Sequence, residues 1–269
     1  MKDKTIEDFK EIGSFFKDGF AVINLFTKKD INLILSDIEK HFFKIGKKHK
    51  ASISNLKSYH RLSISDEKHN SIMNHNFRQI KLKGKFVKKI QHNTIVKSIA
   101  KFFYGRKKIG IFCEHRNYHR RNYTSVRIVK PLAQTSGVHT ESNASPNYDP
   151  ITLWCPLVGF DNKYTLRLAP GSHFYSHPKS NIVKDKYIAK SYSNSYLKKF
   201  KFTRPNVKKG QAIIFDPNIL HGGSVCFGKF TRVSIEPRIL RSESCYKIKN
   251  KFNSPNHFFL KNFLYQNKV

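Results

Sequence analysis

The chain has 269 residues, of which 39% are hydrophobic and 13% aromatic; this is enough for one large domain with a substantial core, and so many aromatic residues exclude an intrinsically disordered chain. The formal charge of +33 comes from 51 Lys and Arg against 18 Asp and Glu. Only 12 of the basic residues are Arg, and the lysines are scattered in pairs such as Lys28-Lys29, Lys107-Lys108 and Lys208-Lys209, which argues against a dedicated nucleic-acid surface, where the bidentate Arg fork is favoured.

Taken in chain order, residues 5–17 are predicted to be helical, with Ile6, Phe9, Ile12, Phe15 and Phe16 along one face. Residues 20–25 read as a strand after Gly19. Thr27 then caps a helix whose apolar positions Ile31, Ile34, Leu35, Ile38, Phe42 and Ile45 form an amphipathic stripe. Residues 46–90 are polar and carry no clear period; 93–104 read as helix and 109–113 as strand. From about residue 124 the pattern changes to short β runs between turns: 124–130, 151–159, 164–169, 201–207, 211–215, 221–226 and 230–240. Helices first and strands last predict an α+β fold, mainly β, with helices buttressing an antiparallel sandwich or barrel. Lacking repeats and linkers, residues 1–269 are read as one domain: a helical part to about 105, a β core over about 109–240 and an extension over 241–269.

No pair among Cys113, Cys155, Cys226 and Cys245 has the CxxC spacing of a zinc or redox site. The start Met1–Glu7 carries acids and lacks the apolar stretch of a secretory signal. No apolar run approaches the roughly 18 residues of a membrane span. The expectation is a cytoplasmic protein with free thiols. Its charge favours anionic partners of any kind, including a phosphorylated or carrier-linked metabolite.

The chemistry is concentrated in His139-Thr140-Glu141 and in His221, 80 residues beyond Glu141. Two imidazoles and one carboxylate are the facial triad of non-haem iron(II) oxygenases, with open positions left for a 2-oxo acid and O₂. In an extended segment residues i and i+2 point to one side, so His139 and Glu141 can reach one ion. An H-x-E alone is weak in a chain with 13 His. Its surroundings add weight. Gly210–Asp216 reads as a turn feeding a buried strand, and Pro217-Asn218 as a second turn before His221. Arg232 follows eleven residues later, inside the β run Phe230–Ile235, where it can clamp a distal carboxylate bidentately or serve in a structural salt bridge.

Trp154 is expected in the core or against substrate. Arg127 and Lys130, at odd separation and so on opposite faces, are candidate contacts for an anionic substrate. His173 is read as bracing backbone rather than binding metal, and Pro170, Gly171 and Pro178 argue against a helical His173–His177 metal pair. His115 and His119, beside Cys113, fall in a segment 114–121 that reads as a basic loop, with zinc a minor option.

These pieces resemble the phytanoyl-CoA dioxygenase family of iron(II)/2-oxoglutarate-dependent dioxygenases. The match lies in Phe16-Lys17-Asp18-Gly19-Phe20 before a strand, the H-x-E, Leu166-Arg167-Leu168-Ala169-Pro170-Gly171-Ser172-His173, the distal His221 and Arg232. The resemblance implies a double-stranded β-helix (a cupin-like jelly roll), iron(II) on His139, Glu141 and His221, and 2-oxoglutarate with its 5-carboxylate on Arg232. It also implies hydroxylation of a small-molecule substrate with O₂. The family usually has H-x-D where this chain has Glu141, an equivalent ligand one methylene longer; Asp149 is the fallback, without strand logic. The rival readings are a basic binding protein for nucleic acid or an anionic surface, and a metal-dependent isomerase or 2-oxoglutarate-independent oxygenase that would not need Arg232. Residues 46–90 and 174–200 are expected to form the lid.

Overall fold

A computed structural model describes residues 6–73, 78–105, 109–115, 118–133, 137–144, 150–161, 164–178, 192–222, 226 and 228–241. The elements in chain order are α1 (Ile6–Asp18), β1 (Phe20–Asn24), α2 (Lys28–Lys48), α3 (Asp66–Ile72), β2 (Gln79–Lys81), α4 (Gly84–His92), α5 (Thr94–Tyr104), β3 (Ile109–His115), β4 (Tyr118–Arg121), β5 (Tyr123–Val129), β6 (Val138–His139), α6 (Glu141–Ala144), β7 (Ile151–Val158), α7 (Asn194–Leu197), β8 (Gln211–Phe215), β9 (His221–Gly222), β10 (Arg232–Glu236) and β11 (Arg238–Arg241). The expected order of helices before sheet is present. Helices nevertheless occupy at least as much of the described chain as strands do, against the expected predominance of β structure.

The boundary of α2 follows from its cap. The Thr27 hydroxyl accepts the Asp30 N–H while the Asp30 carboxylate accepts from Thr27, a reciprocal capping box worth about 1 kcal/mol. The stripe Ile31, Ile34, Ile38, Phe42 and Ile45 is buried as the period requires.

The large sheet runs β2-β5-β10-β7-β11-β3-β4, with β8 also on β7 and β1 on β8. All its pairings are antiparallel. Successive side chains of a strand point to opposite faces, and here both faces are buried. Ile151, Leu153, Cys155 and Leu157 of β7, with Val233 and Ile235 of β10 and Ala212 and Ile214 of β8, join the helices in the main core. Trp154, Ile213 and Phe215 pack on the other face with Leu168, Val207 and Ile219. Against that second face lies the two-stranded pair β6-β9, which matches His139 to His221.

Several strand predictions are corrected. The run 164–169 and the run 201–207 reduce to one bridge, Leu168 with Thr203; Leu168 also bridges His221. The run 230–240 is split at Pro237, whose nitrogen cannot donate to a ladder, into β10 and β11. Within the segment expected to be a loop, Glu114 and His115 end β3 and Tyr118–Arg121 form β4, with His115 opposite Tyr118 and Glu114 opposite His119; the helical spacing that would suit zinc therefore does not apply to His115 and His119. The hard-to-read stretch 46–90 contains α3, β2, α4 and a 3₁₀ turn at Leu56–Arg61. No helix among the described residues is long and apolar enough to cross a membrane.

Candidate metal centre

The strand pairing of β6 with β9 places His139 directly opposite His221, their ring centroids 4.4 Å apart. Glu141 joins them, and one ligand atom from each of the three residues lies within 4.8 Å of the other two. All three are buried. Glu141 does not reach the site as the second residue of a strand. Thr140 accepts the Asn143 N–H on its hydroxyl and so caps a single helical turn, α6, of which Glu141 is the first residue.

The orientation of both imidazoles is fixed by backbone. His139 Nδ1 lies 2.9 Å from the Gly137 carbonyl and His221 Nδ1 3.0 Å from the Ile219 carbonyl. A carbonyl only accepts, so each Nδ1 donates and each ring has its Nε2 left for the site, the arrangement that metal-binding histidines use. Nε2 of His221 stands 3.6 Å from Glu141 Oε1. Burial, with repulsion from His221, lowers His139 to about 4, so it is neutral near pH 7. Burial pushes the Glu141 carboxyl up, but its neighbours, the Arg238 guanidinium foremost, outweigh this and hold it well below the usual carboxylate range. Two imidazoles with an ionised carboxylate fit a divalent cation.

Arg238 is a site residue that the sequence reading missed. Its Nε lies 3.2 Å from Glu141 Oε2, and its Nη2 lies 3.0 Å from Oε2 and 3.3 Å from Oε1. It stands six residues after Arg232 within the run 230–240, an even separation, but nothing in the local pattern joins it to Glu141.

The matched turn Pro170–His173 acts on β9. Ser172 Oγ accepts the Leu220 N–H at 2.9 Å, one residue before the metal-facing His221, and the Ala169 N–H donates to the Leu220 carbonyl. His173 braces backbone as expected, its Nε2 3.2 Å from the Phe16 carbonyl. This contact needs Gly19: its φ is +83°, and a Cβ there would meet the His173 ring at 2.6 Å. His177 contacts the Tyr196 hydroxyl and the Asn218 carbonyl and points to no metal.

Arg232 lies inside, 4% exposed, with Nη1 donating to the Tyr164 carbonyl at 2.6 Å. Its Nε has no hydrogen-bond partner among the described residues, and neither has the hydroxyl of Ser234. Pairing of β10 with β5 in regular register puts Arg232 and Ser234 on one face. Trp154 packs in the second core cluster, its ring 5.9 Å from the Arg232 guanidinium. Arg127 pairs with Glu236, Nε to Oε2 at 2.9 Å. Lys130 is turned away, donating to the Ile64 carbonyl at 3.0 Å, and does not join the metal-facing group. Asp149, Cys245 and residues 179–191 of the expected lid stretch 174–200 lie outside the described residues. The remaining cysteines, Cys113, Cys155 and Cys226, are buried and stand in no disulfide among the described residues.

No protein-family model matches the chain, and no curated protein does. Solved structures do. EctD from S. alaskensis in its apo form is 12% identical, with 94% of this chain and 82% of that one covered and a TM-score of 0.57. EvdO2 from Micromonospora carbonacea var. aurantiaca is 14% identical over 95% of this chain and 98% of that one, with a TM-score of 0.53. The epimerase SnoN, in complex with Fe3+, alpha ketoglutarate and nogalamycin RO, is 11% identical over 88% and 84%, with a TM-score of 0.52. EctD is also known with bound Fe, and EvdO2 complexed with 2-oxoglutarate. At these identities the likeness establishes a shared fold.

Proposed function

We propose that this protein is an iron(II)- and 2-oxoglutarate-dependent dioxygenase of the phytanoyl-CoA dioxygenase type, a hydroxylase of a small metabolite. In this reading residues 1–269 form one domain whose large sheet and facing β6-β9 pair make a double-stranded β-helix, and the buried free thiols fit a reducing cytoplasm. The observation that carries the function is the pairing of two features on one interior: three metal-competent ligand atoms within 4.8 Å, and a buried Arg232 whose Nε, like the Ser234 hydroxyl beside it, lacks a partner among the described residues. A buried cation with unsatisfied donors is unfavourable alone. A carboxylate from a small co-substrate would satisfy both groups.

His139, Glu141 and His221 would hold the iron, and Arg232 with Ser234 the 5-carboxylate of 2-oxoglutarate. When bound, the iron and co-substrate supply O₂ activation coupled to decarboxylation of 2-oxoglutarate to succinate. The chain's own contribution is to fix both imidazoles with Nε2 inward, keep Glu141 ionised and exclude water behind Trp154 and Phe215. The solved relatives support this reading through the ligands they are crystallised with.

The test is succinate release from 2-oxoglutarate with iron(II) and O₂, first without substrate and then with a metabolite panel that seeks stimulation. Consumption of 2-oxoglutarate that does not depend on added iron, or no binding of 2-oxoglutarate to the iron-loaded protein, would overturn it.

A further inference from the structure

The β6-β9 pair has two faces, and the metal centre uses one of them. His139 is opposite His221, and Leu168 bridges His221. All three point inward, where Leu168 packs with Trp154 and Phe215. Their chain neighbours Val138, Leu220 and Ala169 point the other way. An aromatic layer lies against them: Tyr192 is buried in their cluster, and Tyr196, Phe200 and Phe202 pack on it. Residues 192–200, expected to belong to a lid, therefore cover the back of the metal-bearing strands.

Polar contacts tie this layer to the turn that carries Glu141. The Tyr192 N–H donates to the Val138 carbonyl at 3.2 Å. The Tyr192 hydroxyl stands 3.4 Å from Oγ1 of Thr140, the residue between the ligands His139 and Glu141. Asn143, two residues beyond Glu141, supplies the rest. Its N–H donates to Thr140 Oγ1 at 3.2 Å. Its side-chain Nδ2 donates to the Pro178 carbonyl at 3.1 Å and to the Tyr192 hydroxyl. A carbonyl only accepts, so the contact with Pro178 fixes which end of the amide faces this pair. The phenol oxygen then accepts from Asn143 and has its own proton to give to Thr140. A helical turn of four residues has no stability of its own, because nucleation fixes several residues for one hydrogen bond. The turn Glu141–Ala144 must be held from outside. Arg238 holds the Glu141 carboxylate; the Thr140, Tyr192 and Asn143 unit holds the backbone from which that carboxylate extends.

Resting on the three-ligand metal centre of the reading above, we propose that Asn143 and Tyr192 are positioning residues for Glu141. Through Thr140 they set the turn from which the carboxylate reaches the metal, and they join two separate stretches of chain, at Pro178 and at Tyr192, to that turn. Neither is a ligand. Their effect is on where Glu141 stands, not on its charge.

The experiment titrates cobalt(II) into the metal-free protein and follows both affinity and the visible ligand-field bands. Tyr192→Phe keeps the ring in the aromatic layer and removes only the hydroxyl. It is expected to weaken cobalt(II) about tenfold, the lower end of the range for outer partners of a metal ligand, and to shift the bands. Asn143→Ala, which removes both contacts of Nδ2, should do the same or more; Tyr192→Phe covers the case that Asn143→Ala fails to fold. Because the hydroxyl acts through Thr140, the double variant Thr140→Ala with Tyr192→Phe should lose less affinity than the two single losses multiplied. Tyr196→Phe is the control. It removes a hydroxyl from the same layer, but one that meets His177 at 2.8 Å, and it should cost stability while leaving affinity and bands unchanged. Unchanged cobalt(II) affinity and bands in Tyr192→Phe overturn the proposal. So does an equal effect from Tyr196→Phe, which would mark a general loosening of the layer, and so do fully independent losses at Thr140 and Tyr192. If the unaltered protein binds no cobalt(II), the metal centre and the dioxygenase reading fail; normal binding with indifferent variants sinks this proposal alone.

Discussion

Arg238 lies across both carboxylate oxygens of Glu141, with three nitrogen–oxygen distances of 3.0 to 3.3 Å, and both side chains are largely buried. The extra methylene of Glu relative to Asp allows one carboxylate to meet Arg238 on β11 and the two imidazoles on β6 and β9. A fork on the outer side of a ligand carboxylate fixes its rotation and leaves a lone pair for the metal. Outer partners of this kind typically change metal affinity by about 10- to 100-fold when removed. Arg238→Met is expected to weaken cobalt(II) binding within that range and to shift the ligand-field bands. Arg238→Lys, which keeps the charge but not the fork, should recover only part of the affinity. Unchanged affinity and spectrum in Arg238→Met would make the contact incidental.

His221→Ala removes one of three ligands and leaves the site with His139 and Glu141. Iron(II) or cobalt(II) stoichiometry after dialysis should fall well below one per chain, while the fold holds through the Leu168–Thr203 bridge and the large sheet. Full stoichiometry and affinity would reject the three-residue assignment, and the search for ligands would then pass to Asp149.

The metal-free protein should be acid-sensitive. Burial, with repulsion from His221, lowers His139 to about 4, and burial with the charge of Lys130 lowers His69 to about 4. Both values fall below the ordinary 6.5, so between about 6.5 and 4 the unfolded chain binds more protons than the native one. The stability these groups contribute is fully present above pH 6.5 and is lost as pH falls toward 4. Urea midpoints measured from pH 8 to 4 should be flat above 6.5 and fall below it. His69 pairs with the Tyr59 hydroxyl away from the metal, so His69→Gln should flatten part of the slope without altering metal binding.

Much of this site is readable from residue order because its parts sit on short-range patterns. The α2 stripe, the Thr27 cap, the Gly19 turn and the spacing of His221 and Arg232 each depend on neighbours within a few residues. What escaped depends on breaks in those patterns. Thr140 turns the H-x-E out of a strand and into a helical turn. Arg238 lay within the predicted run 230–240, but its partner Glu141 is 97 residues away and no local pattern links them. The runs 164–169 and 201–207 have strand-like composition, yet their backbone pairs only through Leu168.

Arg232 decides between a 2-oxoglutarate enzyme and other uses of the same metal site. It is 4% exposed, its only hydrogen bond to a described residue is to the Tyr164 carbonyl, and its Nε is unsatisfied there. Burial, partly offset by Cys226 and Glu236, lowers it to about 10, still well above neutrality, so it enters the interior charged. A charged carboxylate entering the same interior loses its hydration and needs a fixed cation. Arg232 offers that cation with planar donors that Lys cannot reproduce, and Ser234 on the same face adds a hydroxyl. Truncating one partner of a buried hydrogen-bonded charge pair costs about 2–5 kcal/mol. At about 1.4 kcal/mol per decade, Arg232→Ala should weaken 2-oxoglutarate more than tenfold while leaving metal binding nearly intact, since Arg232 touches none of the three ligands. Ser234→Ala should weaken it less, because a neutral donor contributes less than a charged one. Titration of 2-oxoglutarate into the anaerobic iron(II) protein measures all three affinities. Equal values in the unaltered protein and in Arg232→Ala would make Arg232 a structural arginine and place any co-substrate carboxylate elsewhere on the metal-facing interior.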